Sequence, residues 1–426
     1  MNEAPPRAPL ALRLAGGVVL LGLIGLLMLW NMAVLVFPSG PLSWLPETLL
    51  VITLLFCVFA AWKKIRVLES AVPVGAGAAV LLAGVVYLAW DDATIEHPLT
   101  LQELAPQPAR DAEAGYTATL AFTKTESNPA PRTQPNPKHY LKNSPVEKPA
   151  EWAKEVAANR EKVAANFAVA APAQEWLAEL DRFDEIGDMP KADWVPPYIN
   201  STVFRQAGSA LCDEAAALAQ EGRGDEAMEL LRLLASVSAK LERHARTDVR
   251  LMTGATGLRR AIAAADYVLA TATVSPEKKA ALAAALSGRD IAQTRRRLAW
   301  LNYVIYTEMV LQYPDTVLTA MTTPLGRDQF LIKLFGWTRP LTVLPRNTTN
   351  LLAEYSREIE RLLKNPQSEN IASDGGLLYR RVYSASPKNF GGRALIMIAV
   401  PNYRKVAEAL QTGEQARLAL LAKLRA

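Results

Sequence analysis

For proton transfer and metal ligation the chain offers 3 histidines, 2 cysteines and 42 carboxylates, and spacing decides which of them can act together. His97, His139 and His244 lie far apart, and no His-Glu-x-x-His run sets two of them on one helix face. A Gly-x-Ser-x-Gly nucleophile elbow and a Walker-type phosphate loop are both absent from the sequence. Cys57 lies in an apolar run and Cys212 far downstream, so no disulfide between them is expected. Cys212 is followed by Asp213 and Glu214, whose negative charge raises a thiol pKa and suppresses the reactive thiolate. No catalytic, cofactor-binding or metal-ligating residue is assigned on this basis, and no cofactor is expected.

One carboxylate still stands out. Glu308 falls within Trp300–Tyr313, a stretch apolar on every face and too short to span a bilayer, which reads as a central core helix. A carboxylate there must be paired or neutralised, because burying it alone is very costly. Arg296 or Arg297, three turns earlier, could serve as its partner. A buried, perturbed glutamate is the one acid–base candidate of the sequence, and a structural ion pair is the ordinary alternative. A carboxylate pair of glycosidase type needs geometry that sequence does not supply. Arg223-Gly224-Asp225 resembles an integrin-recognition tripeptide, but a turn glycine and a helix-capping aspartate account for each residue.

The elements that must position these residues begin with three apolar runs. Leu14 to Phe37 holds 24 residues without a charge, more than the roughly 20 a bilayer core requires. It is too long for a signal-peptide core and ends at Phe37-Pro38-Ser39-Gly40 rather than in a small-x-small cleavage site. Leu45–Trp62 and Ala71–Trp90 are the second and third runs, and in lipid each must be a helix to pair its own amides. Arg7 and Arg13 precede the first run, Lys63, Lys64 and Arg66 follow the second, and Pro38–Glu47 carries no Lys or Arg. That asymmetry predicts a cytoplasmic amino terminus, three crossings and a carboxyl-terminal part outside the cytoplasm. Gly75-Ala76-Gly77-Ala78-Ala79 imitates a dinucleotide-binding start but lacks a preceding strand, so close helix packing is the better reading. Apart from Glu47, near the start of the second, no charged residue lies inside the runs, which suits an anchor rather than an ion pathway.

Beyond residue 90 the balance is nearly neutral. The chain holds 47 basic and 42 acidic residues, a net +5 that leaves no electrostatic footprint for nucleic acid. Residues 91–149 read as an extracytoplasmic linker, proline-rich from 128, with Tyr116–Phe122 as a short strand. The 6 prolines of Asn128–Pro149 exclude a helix, so that stretch either extends as a spacer or lies along a domain surface. Residues 150–426 read as one α-helical soluble domain. Its clearest unit is a hairpin of Thr202–Gln220 and Asp225–Arg243, with Gly222 in the left-handed closing position and Asp225 as N-cap. Leu230, Leu233, Leu234, Val237 and Leu241 give the second helix its apolar stripe. The hairpin is similar to tetratricopeptide units, without a second copy at a 34-residue period. Further helices are expected at Glu151–Ala170, Ala173–Ile186, Asp248–Ala272, Pro276–Leu286, Asp290–Gln312, Asn347–Lys364 and Asn402–Arg425.

The stretch Leu341–Thr349 with the helix that follows, and Asn389-Phe390-Gly391-Gly392, resembles uncharacterised membrane-anchored α-helical proteins of planctomycete and verrucomicrobial type. The resemblance covers the distal half of the chain, implies an envelope-side helical domain and supplies no activity. The fold expected is thus all-α: three transmembrane helices, a proline-rich linker and an irregular helical-hairpin domain. The expected role is a scaffold or assembly protein of the cell envelope, in contact with the bilayer and a protein partner, with no nucleic acid. The alternatives are an envelope hydrolase or lyase acting through carboxylates, and an accessory subunit of a transport complex. Topology reporters should read cytoplasmic at Arg66 and extracytoplasmic at Ser39 and at residue 426. A cytoplasmic signal at the carboxyl terminus would overturn this topology.

Overall fold

A computed structural model of the 426-residue chain describes residues 9–36, 71–91, 94–95, 99–126, 128–135, 141–189, 198–312, 343–365, 389 and 403–425. Every secondary-structure element among these residues is a helix. The chain divides into two compact units. One comprises residues 1–98, 306–358 and 369–401, the other residues 99–305, 359–368 and 402–426.

In the first unit α1 (Leu10–Val36) packs on α2 (Ala71–Ala89), with Gly22 set against Leu81. Leu14, Val18 and Leu21 on α1 and Val80 and Leu82 on α2 are exposed. Among the described residues no helix is long and apolar enough to cross a membrane, and Leu45–Trp62 lies outside them. The three expected crossings therefore rest on the sequence. A later helix, Pro345–Lys364, starts two residues before the expected Asn347 cap. Proline suits a first helical position, where its missing N–H would lack a partner anyway. The cap comes from Asp91, whose carboxylate accepts the N–H groups of Arg346 at 2.7 Å and Asn347 at 3.0 Å. Negative charge is favoured at that end of a helix.

The second unit starts with two short helices, α3 (Leu101–Leu104) and α4 (Ala112–Thr119). These correct the expected strand at Tyr116–Phe122. As a helix, the segment brings Gly115 against Ile186 and lets Trp176 Nε1 donate to the Ala118 carbonyl at 2.8 Å. They also correct the linker reading: Leu101, Leu104, Leu120 and Phe122 are buried, and Phe122 meets Trp176 edge-on at 5.3 Å. The described part of the proline-rich stretch lies along the unit. Asn128 Nδ2 donates to the Leu120 carbonyl, and Glu155 accepts the N–H groups of Lys142 and Asn143. Residues 136–140, with His139, lie outside the described residues, as does His97.

The expected helix Glu151–Ala170 is two helices, α5 (Pro149–Ala158) and α6 (Arg160–Val169). They part at Asn159, whose side chain bonds the Glu155 carbonyl and competes with helical pairing. α7 (Ala171–Asp181) follows. The centre of the unit is α8 (Ser201–Gln220), α9 (Gly224–Arg243) and α10 (Asp248–Thr271), flanked by α11 (Pro276–Leu286) and α14 (Tyr403–Arg425). The helices α12 (Ile291–Gln312) and α13, the Pro345–Lys364 helix named above, have residues in both units. Gly222 takes φ +80 after α8, as the turn requires. Asp225 does not cap α9; it lies in the first turn and accepts the N–H of Ser275 at 2.7 Å. The buried stripe of α9 runs through Leu231, Leu234, Val237 and Leu241, with Leu230 and Leu233 only partly covered. On α14, Leu410, Leu421 and Leu424 are buried, whereas Leu418 is exposed.

Two buried charge clusters lock these helices. Asp188 accepts the N–H of Arg246 at 2.7 Å and lies 3.5 Å from the Arg250 guanidinium. Those two arginines reach the carbonyls of Ala105 and Ile186, tying the α3 region to the corner between α9 and α10. Beside that corner, at the carboxyl end of α9, Glu242 accepts from Arg289 at 2.9 Å and Thr294 at 2.8 Å, while Arg297 bonds the Glu242 carbonyl. Removing one partner of a buried cluster leaves an uncompensated charge, at a cost of about 3–5 kcal/mol. In chemical denaturation of the full chain, Asp188→Ala should lose about that much stability. Asp266→Ala, which removes an exposed pair with Lys423, should lose under about 1 kcal/mol; equal losses would refute the locking role of Asp188.

Candidate functional site

A groove follows α8 on its side facing α10. Its first half, a cavity of about 320 Å³, is lined by Thr202, Phe204 and Arg205 of α8 and Val249, Met252 and Arg260 of α10. Its second half, about 300 Å³, is lined by Asn143, Ser144, Asn166, Ser209 and Asp213, and again by Arg205 and Arg260. The two arginines therefore stand at the waist, where the halves meet. Arg260 donates to the Arg205 carbonyl at 3.1 Å and to Ser209 Oγ at 3.0 Å, which holds its head at the groove. Among the described residues neither Arg205 nor Arg260 forms an ion pair. By contrast Arg160, Arg232, Arg250, Arg289 and Arg417 each pair with a carboxylate.

The groove changes character along its length. Phe204 forms the floor of the first half, and Val249, exposed at 39%, and half-buried Met252 form its wall. The second half is polar and carries two charged side chains of its own, Lys142 and Asp213. That carboxyl accepts a 2.7 Å bond from Trp152 Nε1. Burial pushes its pKa up to about 6, against the opposing pull of the Trp152 bond and the Arg260 charge. Cys212 lines the base of this half, fully buried, with its thiol pushed upward by burial and then by Asp213.

The candidates read from sequence do not assemble a second site. Glu308 is half-buried rather than sealed in a core. Arg297 is occupied at the carboxyl end of α9, bonding its last carbonyls. His244 lies 3.3 Å from Glu185 and 3.3 Å from the Pro106 carbonyl, and its pKa is lowered by burial. Arg223 of the Arg-Gly-Asp tripeptide pairs with Glu226 at 2.6 Å, and Asp225 is engaged by Ser275. Among the described residues no group of three or more His, Cys, Asp or Glu is placed to hold a metal ion.

Arg205, Arg260 and Asp213 carried no motif in the sequence. The one local signal available for Arg205 and Asp213 is a polar stripe, Thr202, Arg205, Ser209 and Asp213, recurring at three- and four-residue spacing on α8. Such a stripe is also what any solvated helix face shows, and only the opposing face of α10 turns it into a groove. No family model, curated protein or solved structure matches the chain.

The raised Asp213 pKa carries a stability consequence. An aspartate titrates near 3.9 when unfolded, so the folded carboxyl holds its proton to higher pH. Its contribution to stability is present below that value and is lost as pH rises through about 6. Asp213→Asn should therefore gain stability relative to the parent at pH 8 and gain little at pH 4. The Trp152 indole N–H resonance should titrate with a midpoint near 6 and stop titrating in Asp213→Asn. A resonance flat from pH 4 to 8 in the parent protein would remove the assignment.

Proposed function

We propose that this protein is a membrane-anchored helical scaffold or assembly protein of the cell envelope, and that it engages an anionic envelope component at the Arg205–Arg260 groove. The carrying observation is that these two arginines stand at the waist of two adjoining cavities and form no ion pair among the described residues. Guanidinium groups with donors left over at a concave surface favour anions, through charge-assisted and bidentate hydrogen bonds.

The anchor is part of the same reading. The uncharged run Leu14–Phe37, the runs Leu45–Trp62 and Ala71–Trp90, and the placement of Arg7, Arg13, Lys63, Lys64 and Arg66 support three crossings with residues 91–426 outside the cytoplasm. The apolar faces exposed on α1 and α2 agree, since contiguous exposed apolar surface marks a protein or membrane contact. The described helices taken by themselves fall short of a crossing, so topology reporters carry that part of the reading. A bilayer and an envelope component are the partners expected; the near-neutral charge balance leaves no footprint for nucleic acid.

A photo-reactive residue placed at Thr202 in native membranes tests the groove. The expected result is a discrete adduct that disappears in Arg205→Glu and in Arg260→Glu. An adduct pattern indifferent to both substitutions would overturn the groove as the binding site.

A further inference from the structure

The order of chemistries along the groove narrows what the anion belongs to. From Ser201 to Asp213 the groove covers about 18 Å at 1.5 Å per residue. Within that length an apolar wall, a cationic waist and a polar end that holds Lys142 and Asp213 follow one another. A ligand that matches has an apolar segment, an anionic group and a polar segment, in that order. Each half encloses about 300 Å³, which suits a small molecule; a docked helix would need a longer, wider trough. An extended peptide is disfavoured as well, because helical walls have already spent their backbone N–H and C=O groups and cannot pair with a strand.

We propose that the groove binds an anionic phosphodiester lipid, with its phosphate between Arg205 and Arg260, an acyl segment along Val249 and Met252, and its headgroup beside Asn143 and Ser144. This rests on the reading that the groove takes an anion. One further feature agrees with the placement. Arg260 is braced by Ser209 and the Arg205 carbonyl, so its remaining donors are pre-oriented rather than free to wander.

The test uses the full chain in an uncharged maltoside detergent, titrated calorimetrically with dihexanoyl phosphatidylglycerol, with inorganic phosphate and with an acidic ten-residue peptide. The lipid should bind at least about tenfold more tightly than inorganic phosphate. Arg205→Gln and Arg260→Gln should each weaken the lipid by roughly tenfold. Val249→Asn, at an exposed position, should weaken the lipid while leaving inorganic phosphate unchanged. Circular dichroism of each variant should match the parent, and Arg260→Lys should recover part of the loss if charge alone is needed. Equal affinity for lipid and inorganic phosphate would overturn the lipid and leave the anion site. Binding of the peptide without the lipid would overturn it in favour of a protein partner. No binding of any of the three would overturn both this proposal and the groove itself.

Discussion

The second unit depends on how closely α9 and α10 cross. At Gly254 an added Cβ would lie 2.7 Å from the Ser238 carbonyl oxygen and 2.9 Å from the Glu242 nitrogen, so the two backbones meet with no side chain between them. Only glycine allows that approach, and the contact sets the positions of everything attached to either helix. With α9 drawn in this far, Phe204 of α8 reaches Gly257, and α8 lies beside α10 closely enough to leave a groove rather than a gap. Arg205 and Arg260 stand together because α9 holds their helices in register.

Burial of charge follows from the same crossing. The corner between α9 and α10 places Arg246 and Arg250 deep in the unit, and Asp188 is the acid that makes their burial tolerable. Glu242, at the carboxyl end of α9 beside the same corner, plays the corresponding part, with Arg289 and Thr294 on it and Glu414 joining through Arg289. A buried pair adds little net stability relative to apolar packing, but breaking one is expensive, so such clusters define which arrangement of helices is permitted. The pair at the groove differs: Arg205 and Arg260 form no ion pair among the described residues, although Asp213 lines the same groove and feels the Arg260 charge. The difference between structural and available arginine lies in partners, which sequence does not reveal.

Periodicity made much of the helical architecture legible. The hairpin at Gly222, the proline start at Pro276 and the long helices from 201 onward were readable because turn chemistry and apolar spacing are local properties. The failures share a cause. Tyr116–Phe122 looked like a strand and the segment around it like a linker, because a short stretch carries no record of the partners that Ile186 and Trp176 provide. Asp225 looked like a cap because it followed a turn, while the residue it serves, Ser275, is a distant one. Glu308 drew attention through its apolar neighbours, yet its position on the helix leaves it half-exposed.

The sequence by itself determined that this is a helical protein whose first 90 residues are apolar with an asymmetric distribution of positive charge, and that no familiar catalytic or metal motif is present. These follow from residue type and near-neighbour spacing. Only the tertiary structure decided that Asp91 caps a helix more than 250 residues away, that the segment after residue 99 belongs to the core, and that Arg205 and Arg260 share a groove. Each of these joins groups remote along the chain, and their meeting depends on helix crossing and burial rather than on any local preference.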